Sequence, residues 1–459
     1  MTDWVDVILH EFLLFAAVGL FIGGLDDFLV DGIWLVRLIW RRQIIFRIYT
    51  PASMDNLAPP DRPGRIAILI GAWHEDAVIG RMVRAALARI DHEDYRIYIG
   101  TYANDPRTIA EVRTIARADG RVRLVEGGVA GPTTKGECLN RIWRALLRDE
   151  ATTGVRYKAV VIHDAEDVIH SAELRLFDRM IEHFDLVQLP VLPLPSAGSR
   201  WVAGHYCDEF AEAHDRQLVV REALGAGVPS AGVGCAISRE AMARMAMRGG
   251  GKPFDENCLT EDYEIGLRLA QLGYRGAFVS VPTTRGGLPV AVRAHFPETL
   301  DTAVRQKTRW MVGIALAGWD RLGWHGHWAE LWMRLRDRRA LLAALVVSAG
   351  YASLLLWMAS MAGHFIAGTE PEPLSDWLVL LITGNGLLLL WRAAMRFTSV
   401  RKFYGNAEAF RSIPRILTSN LIAMAAARRA LWEYWKLLRG HALTWDKTRH
   451  IFPTALPAE

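Results

Sequence analysis

Three short clusters hold the residue types that chemistry needs. At the end of the apolar run Ala159-Val-Val-Ile162 come His163, Asp164, Ala165, Glu166 and Asp167. Carboxylates so closely spaced at a strand end offer oxygen ligands to a hard divalent cation, Mg2+ or Mn2+, and such a cation can bridge a diphosphate. About a hundred residues on, Leu259-Thr260-Glu261-Asp262 precedes a helical pattern, Ile265 to Leu272. A carboxylate placed there, Asp262 foremost, can act as general base and take the proton of a hydroxyl as it attacks carbon. The third cluster is Gln306-Lys-Thr-Arg309-Trp310. On a helix Gln306, Arg309 and Trp310 share one face, offering an amide, a fixed cation and a flat ring to a sugar and a pyrophosphate. Simpler explanations exist for each cluster: acidic helix caps for the first two, and a membrane-surface helix with snorkelling Arg and interfacial Trp for the third.

The elements that must hold these residues follow from hydrophobic patterning. Arg65 to Gly71, Tyr95 to Thr101, Val122 to Val125 and Ala159 to Ile162 are short apolar runs of the kind buried on both faces of a sheet. Helical stretches at Asp76 to Ala88 and Pro106 to Ala118 alternate with them. That order predicts an α/β unit with a parallel sheet, which binds ligands at the carboxyl ends of its strands. The first cluster lies at such an end.

Outside this unit the chain changes character. Val7 to Leu25 is almost uncharged and long enough to cross a bilayer, as are Leu341 to Ile366 and Trp377 to Trp391. Arg334, Arg336, Arg338 and Arg339 precede the last pair, Arg392, Arg396, Arg401 and Lys402 follow it, and the loop between is acidic. The positive-inside bias therefore puts residues from about 40 to about 339 in the cytoplasm. Boundaries follow as 1–27 membrane helix, 28–52 interfacial helix, 53–64 linker, 65–300 α/β domain, 301–339 interfacial helices, 340–392 two membrane helices, and 393–459 amphipathic region. Ile413 to Tyr434 carries charges that favour the interface over a span. A cleaved leader is not expected, because no basic residue precedes the first run and no small-residue site follows it.

Composition supports a mixed protein: 51% hydrophobic residues and 17 Trp favour membrane contact, while 23% charged residues exclude a wholly embedded chain. A net charge of +4 gives nucleic-acid binding no support. Cys138, Cys207, Cys235 and Cys258 show no metal spacing, so neither zinc nor disulfides are expected.

Taken in order, the DxE after an apolar strand, the TED and the QxxRW before membrane runs resemble the processive family 2 glycosyltransferases, the cellulose and hyaluronan synthase group. The resemblance covers roughly residues 60 to 320 and implies a GT-A fold, a UDP-sugar donor and a divalent cation. It assigns Asp164 and Glu166 to metal and nucleotide, Asp262 with Glu261 to the base motif, and Gln306, Arg309 and Trp310 to acceptor and diphosphate. Glu75 matches the acidic residue of the first-strand motif, with His74 where Asn is common. Asp105 stands where the family contacts uracil, and Lys135 opens a KxxxLN element near the diphosphate. Gly232-Val-Gly-Cys235 resembles the Gly-rich acceptor segment. Glu166 departs from the usual second Asp and lengthens the ligand.

His163 to Asp167, Leu259 to Tyr263, Lys307 to Trp310 and the tail Trp445-Asp-Lys-Thr448 with His450-Ile-Phe-Pro453 are similar to NfrB-type inner-membrane glycosyltransferases, which belong to a bacterial polysaccharide system that a phage uses for adsorption. That likeness implies a UDP-linked amino sugar such as N-acetylmannosamine, a polysaccharide or lipid-linked acceptor, and an outer-membrane export partner. Larger members carry a C-terminal cyclic di-GMP domain. This chain stops soon after Pro453, so direct control through such a domain is not expected. A non-catalytic scaffold is the alternative from another class.

Overall fold

In a computed structural model, residues 2–128, 130–131, 133–441 and 450–456 are described; Trp445 to Thr448 of the tail lie outside them. Strands β1 (Ile66–Gly71), β2 (Tyr95–Thr101), β3 (Val122–Glu126), β4 (Ala159–His163), β5 (Leu186–Gln188), β6 (Cys235–Ser238) and β7 (Gly276–Phe278) form one sheet in the order β3-β2-β1-β4-β6-β5-β7. The helices that matter for the site are α1 (Thr2–Trp40), α2 (Ile79–Arg89), α3 (Pro106–Ala118), α4 (Lys135–Thr153), α5 (Val202–Glu212), α6 (Glu261–Gln271), α7 (Leu300–Trp310), α8 (Trp328–Arg338), α9 (Ala340–Ala367), α10 (Asp376–Ser412) and α11 (Arg415–Leu438).

Alternation along β1 explains the layers. Ile66, Ile68 and Ile70 join one core with Met82 and Val83 of α2 and Val112 of α3, while Ala67 and Leu69 join another with Leu139, Ile142 and Trp143 of α4. A strand buried on both faces in this way must be apolar throughout, as the sequence has it. The helices start where caps put them: Asp105 accepts the Thr108 amide with Pro106 at the first helical position of α3, and Thr134 accepts the Glu137 amide at the head of α4. The sheet is mixed rather than parallel. β1 to β4 are parallel, but β6 runs antiparallel to both β4 and β5, because the chain reaches it from an excursion through α5 instead of a simple crossover.

Among the described residues three helices are long and apolar enough to cross a membrane: α1 with its continuation to Ile48, α9 and α10. No separate helix starts at residue 28. α1 runs unbroken to Trp40, then through a π-helical turn over Arg41–Ile45. Its acidic residues explain the continuity: Asp26 and Asp27 pair with Arg336 and Arg339, Asp27 also with Arg392, and Asp31 with Arg216. Towards the opposite end Asp6 meets His364 Nε2 at 2.9 Å. The rise from Asp6 to Asp26 is about 30 Å, close to the thickness of a hydrocarbon core. Between these polar belts α1 packs tightly on α9, for a Cβ on Gly19 would lie 2.5 Å from Val346 Cγ2. α11 is not among the three; it packs on α7 and α9, and its Arg415, fully buried, bonds Asp208 and Glu408.

Candidate active site

β4 ends in His163, and this side chain organises the loop behind it. Fully buried, it places Nδ1 2.9 Å from Asp167 Oδ2 and Nε2 2.7 Å from Glu173 Oε1. Burial alone would lower its pKa, but the two carboxylates outweigh it and push the imidazole up to about 10. Asp167 Oδ2 also accepts the Asp164 amide at 2.9 Å, so Asp167 is the internal tie of the loop. Asp164 is left to meet Lys135 Nζ, at 2.5 Å. Burial raises the Asp164 pKa, yet the lysine wins and the carboxyl ends below its ordinary range.

Lys135, at the head of α4, connects the first cluster to the second. The charges of Asp164, Glu261 and Asp262 overcome its burial and raise its pKa. Capping does not account for the TED residues, since Thr260 makes no side-chain cap bond to α6. Asp262 Oδ1 accepts the Tyr263 amide at 2.7 Å, and Oδ2 lies over Gly232, where a Cβ would come within 2.2 Å. Gly232 also has φ +81°, so glycine is required on two counts. Burial raises the pKa of Asp262 against the pull of Lys135 and Arg309; burial together with the Asp262 charge pushes Glu261 up to about 7.

The third cluster closes the site from α7. Arg309 is near enough for its charge to act on both Asp164 and Asp262. Gln306 Oε1 is buried without a hydrogen-bond partner. Trp310 sits in an aromatic group with Tyr206 and Phe210, ring centroids 6.2 and 6.3 Å away, and Lys307 Nζ lies 4.7 Å from its ring centre. The ring is half-buried rather than an open platform.

A further group forms at the end of β1. His74 takes φ +53°, a strained value for a residue with a Cβ, and its amide is held by Asp105 Oδ2 at 2.7 Å. Asp105 is 2% exposed and spends its oxygens on this amide and on its helix cap. Its structural effect is to aim Glu75, whose amide donates to Thr108 Oγ1. Glu75 points at His450, from the far end of the chain: Nδ1 of that histidine lies 2.8 Å from Glu75 Oε1 and 3.1 Å from Glu166 Oε2. Although burial opposes it, the two carboxylates push His450 up to about 10.

Residues 63–313, which hold every strand and all three clusters up to Arg309 and Trp310, match the family model described as "Glycosyltransferase like family 2". The chain belongs to glycosyltransferase family 2. Over 461 aligned residues this glycosyltransferase is 36% identical to bacteriophage adsorption protein B of Escherichia coli strain K12, covering 95% of this chain and 61% of that one. Bacteriophage N4 adsorption protein B of Escherichia coli O157:H7 matches at the same identity and coverage. The chain therefore spans about 61% of the length of these curated relatives. Among solved structures, the mannosyltransferase PcManGT from Pyrobaculum calidifontis, in complex with GDP-Man and Mn2+, superposes with a TM-score of 0.50 at 17% identity, over 92% of this chain and 99% of that one. The likeness shows a common GT-A fold.

Two residues of the glycosyltransferase site, His163 and His450, lie in stretches that carry the resemblance, but the motifs give neither a role. His163 looks like an ordinary strand end and proves to be the charged node that sets the loop. His450 is far in sequence from Glu75 and Glu166; close beside it Phe452-Pro453 are apolar residues that close a polar tail. The donor set fits a hard cation: Glu166 is 9% exposed, and its Oε2 and Glu75 Oε1 converge on His450 Nδ1 at 3.1 and 2.8 Å.

Proposed function

We propose that the protein transfers a sugar, an N-acetylated hexosamine, from a UDP-sugar to a growing polysaccharide with inversion, at the cytoplasmic face of a bacterial inner membrane. One observation carries this reading. The Lys135–Asp164 pair stands at the strand ends with Glu261, Asp262 and Arg309 all within its electrostatic reach. Lys135 and Arg309 are cations suited to a diphosphate, and Asp262 is a half-buried carboxylate suited to deprotonating an acceptor hydroxyl. Direct attack by that hydroxyl, from the side opposite the leaving diphosphate, inverts the anomeric carbon. We assign Glu75 and Glu166 to Mg2+ or Mn2+, while Asp164 stays with Lys135. When bound, such a cation supplies neutralising charge to the departing diphosphate. The PcManGT neighbour, solved with GDP-Man and Mn2+, supports a metal-assisted nucleotide-sugar reaction. The names of the relatives, bacteriophage adsorption proteins, support a place in the bacterial envelope; the polysaccharide acceptor and an outer-membrane export partner are what the NfrB-type likeness implies.

Transfer of a single sugar to a lipid carrier is a second reading, favoured by a groove beside α7. Its lining includes Asp301 and Val304 together with Arg428, Arg429, Trp432 and Trp435, the last four being cations and rings suited to a phosphate on an interfacial lipid. Asp262→Asn keeps the shape but removes the base: turnover should fall by at least about a thousandfold with nucleotide binding kept. Undiminished turnover would sink the assignment. Product length on a gel separates a polymer from a singly extended lipid.

A further inference from the structure

The tail segment His450 to Pro453 is anchored, not draped. Phe452 is 4% exposed and joins the core that includes Val78, Ile79 and Met82. Arg81 bonds the Pro453 carbonyl at 2.7 Å through Nη2, and its guanidinium lies 5.4 Å from the Phe452 ring centre. This anchor delivers His450 Nδ1 between Glu75 Oε1 at 2.8 Å and Glu166 Oε2 at 3.1 Å. One ligand atom from each of the three residues lies within 4.8 Å of the others. In an octahedral shell with ligands at about 2.1 Å, neighbouring donor atoms stand about 3.0 Å apart, which both separations match. Glu166 Oε2 is buried and meets His450 Nδ1 at 3.1 Å, whereas Asp164 already has Lys135 at 2.5 Å.

We propose that Glu75, Glu166 and His450 form the divalent-cation site, with the tail imidazole as its third protein ligand. Carboxylate and imidazole together suit Mn2+, and three protein ligands leave open positions for a substrate's oxygens. The tail then completes the donor site, and a chain truncated before His450 lacks a ligand. The glycosyl-transfer reading gives the cation its purpose; the ligand set rests on the distances alone.

The test is Mn2+ alone, titrated into the purified full chain in detergent, with free Mn2+ followed by electron paramagnetic resonance and the bound ion by pulsed measurement of nitrogen coupling. The expected result is one site with the coupling of a directly bound imidazole. His450→Ala and the bulkier His450→Gln should both remove that coupling and weaken binding roughly tenfold or more. Glu166→Gln and Glu75→Gln should weaken it comparably, and Asp164→Asn much less. A wild-type spectrum without imidazole nitrogen, or coupling and affinity unchanged in both His450 variants, overturns the proposal. Imidazole-coupled Mn2+ in a protein that consumes no nucleotide sugar would contradict the transfer reading and leave the site standing. Transfer by a protein without the coupling would do the reverse.

Discussion

At the residue scale the account turns on how carboxylates are kept apart in role. Asp164 is held ionised by Lys135, Asp167 is tied to His163, and Asp262 is raised by burial with Glu261 pushed up to about 7 beside it. A base works only when ionised, and Asp262 is raised above its ordinary range, so kcat/KM should rise with pH along an acid limb displaced upward from that of a free aspartate. Lys135 favours the ionised form of both Glu261 and Asp262. Lys135→Met should therefore move the acid limb of the pH profile to higher pH and lower the rate at pH 7; an unmoved limb would place the lysine outside the field of the base. The motifs were legible because strand-end acids and a TED before a helix are local patterns. The geometry joining them was not, since Lys135 to Asp164 and Gly232 to Asp262 are contacts across the sheet end that spacing does not encode.

At the element scale, buried ion pairs join the catalytic domain to the C-terminal helices. Arg415 on α11 and Asp208 on α5 are both fully buried, 2.7 Å apart, and Glu408 meets the same guanidinium. Removing one partner leaves an uncompensated charge at a cost of about 3–5 kcal/mol. Arg415→Met should accordingly lower the thermal midpoint by several degrees, and adding Asp208→Asn should recover part of the loss. Equal midpoints for wild type and Arg415→Met would show the pair to be dispensable. Strands and helices of the α/β unit could be read from apolar runs, because double-sided burial demands them. The antiparallel β6 could not, since its four residues carry no sign of direction. Nor could the unbroken α1, whose Trp34, Trp40 and paired arginines suggest a separate surface helix until Asp26 and Asp27 are seen to pair with Arg336, Arg339 and Arg392.

At the scale of the whole molecule, two polar belts about 30 Å apart frame the apolar bundle of α1, α9 and α10, with the transfer site beyond the arginine-rich belt. The four native cysteines are buried, so introduced ones can report topology without background. With a membrane-impermeant maleimide on intact spheroplasts, Glu370→Cys should label at once and Arg401→Cys only after permeabilisation; the opposite pattern would invert the orientation. The central claim is transfer from a nucleotide sugar, and the most direct measurement is nucleoside diphosphate released by the purified protein in detergent, with a panel of UDP- and GDP-sugars and Mn2+ or Mg2+. The expected result is metal-dependent release from a UDP-linked N-acetylated hexosamine, lost in Asp262→Asn. No release from any donor, or equal release by Asp262→Asn, would contradict it.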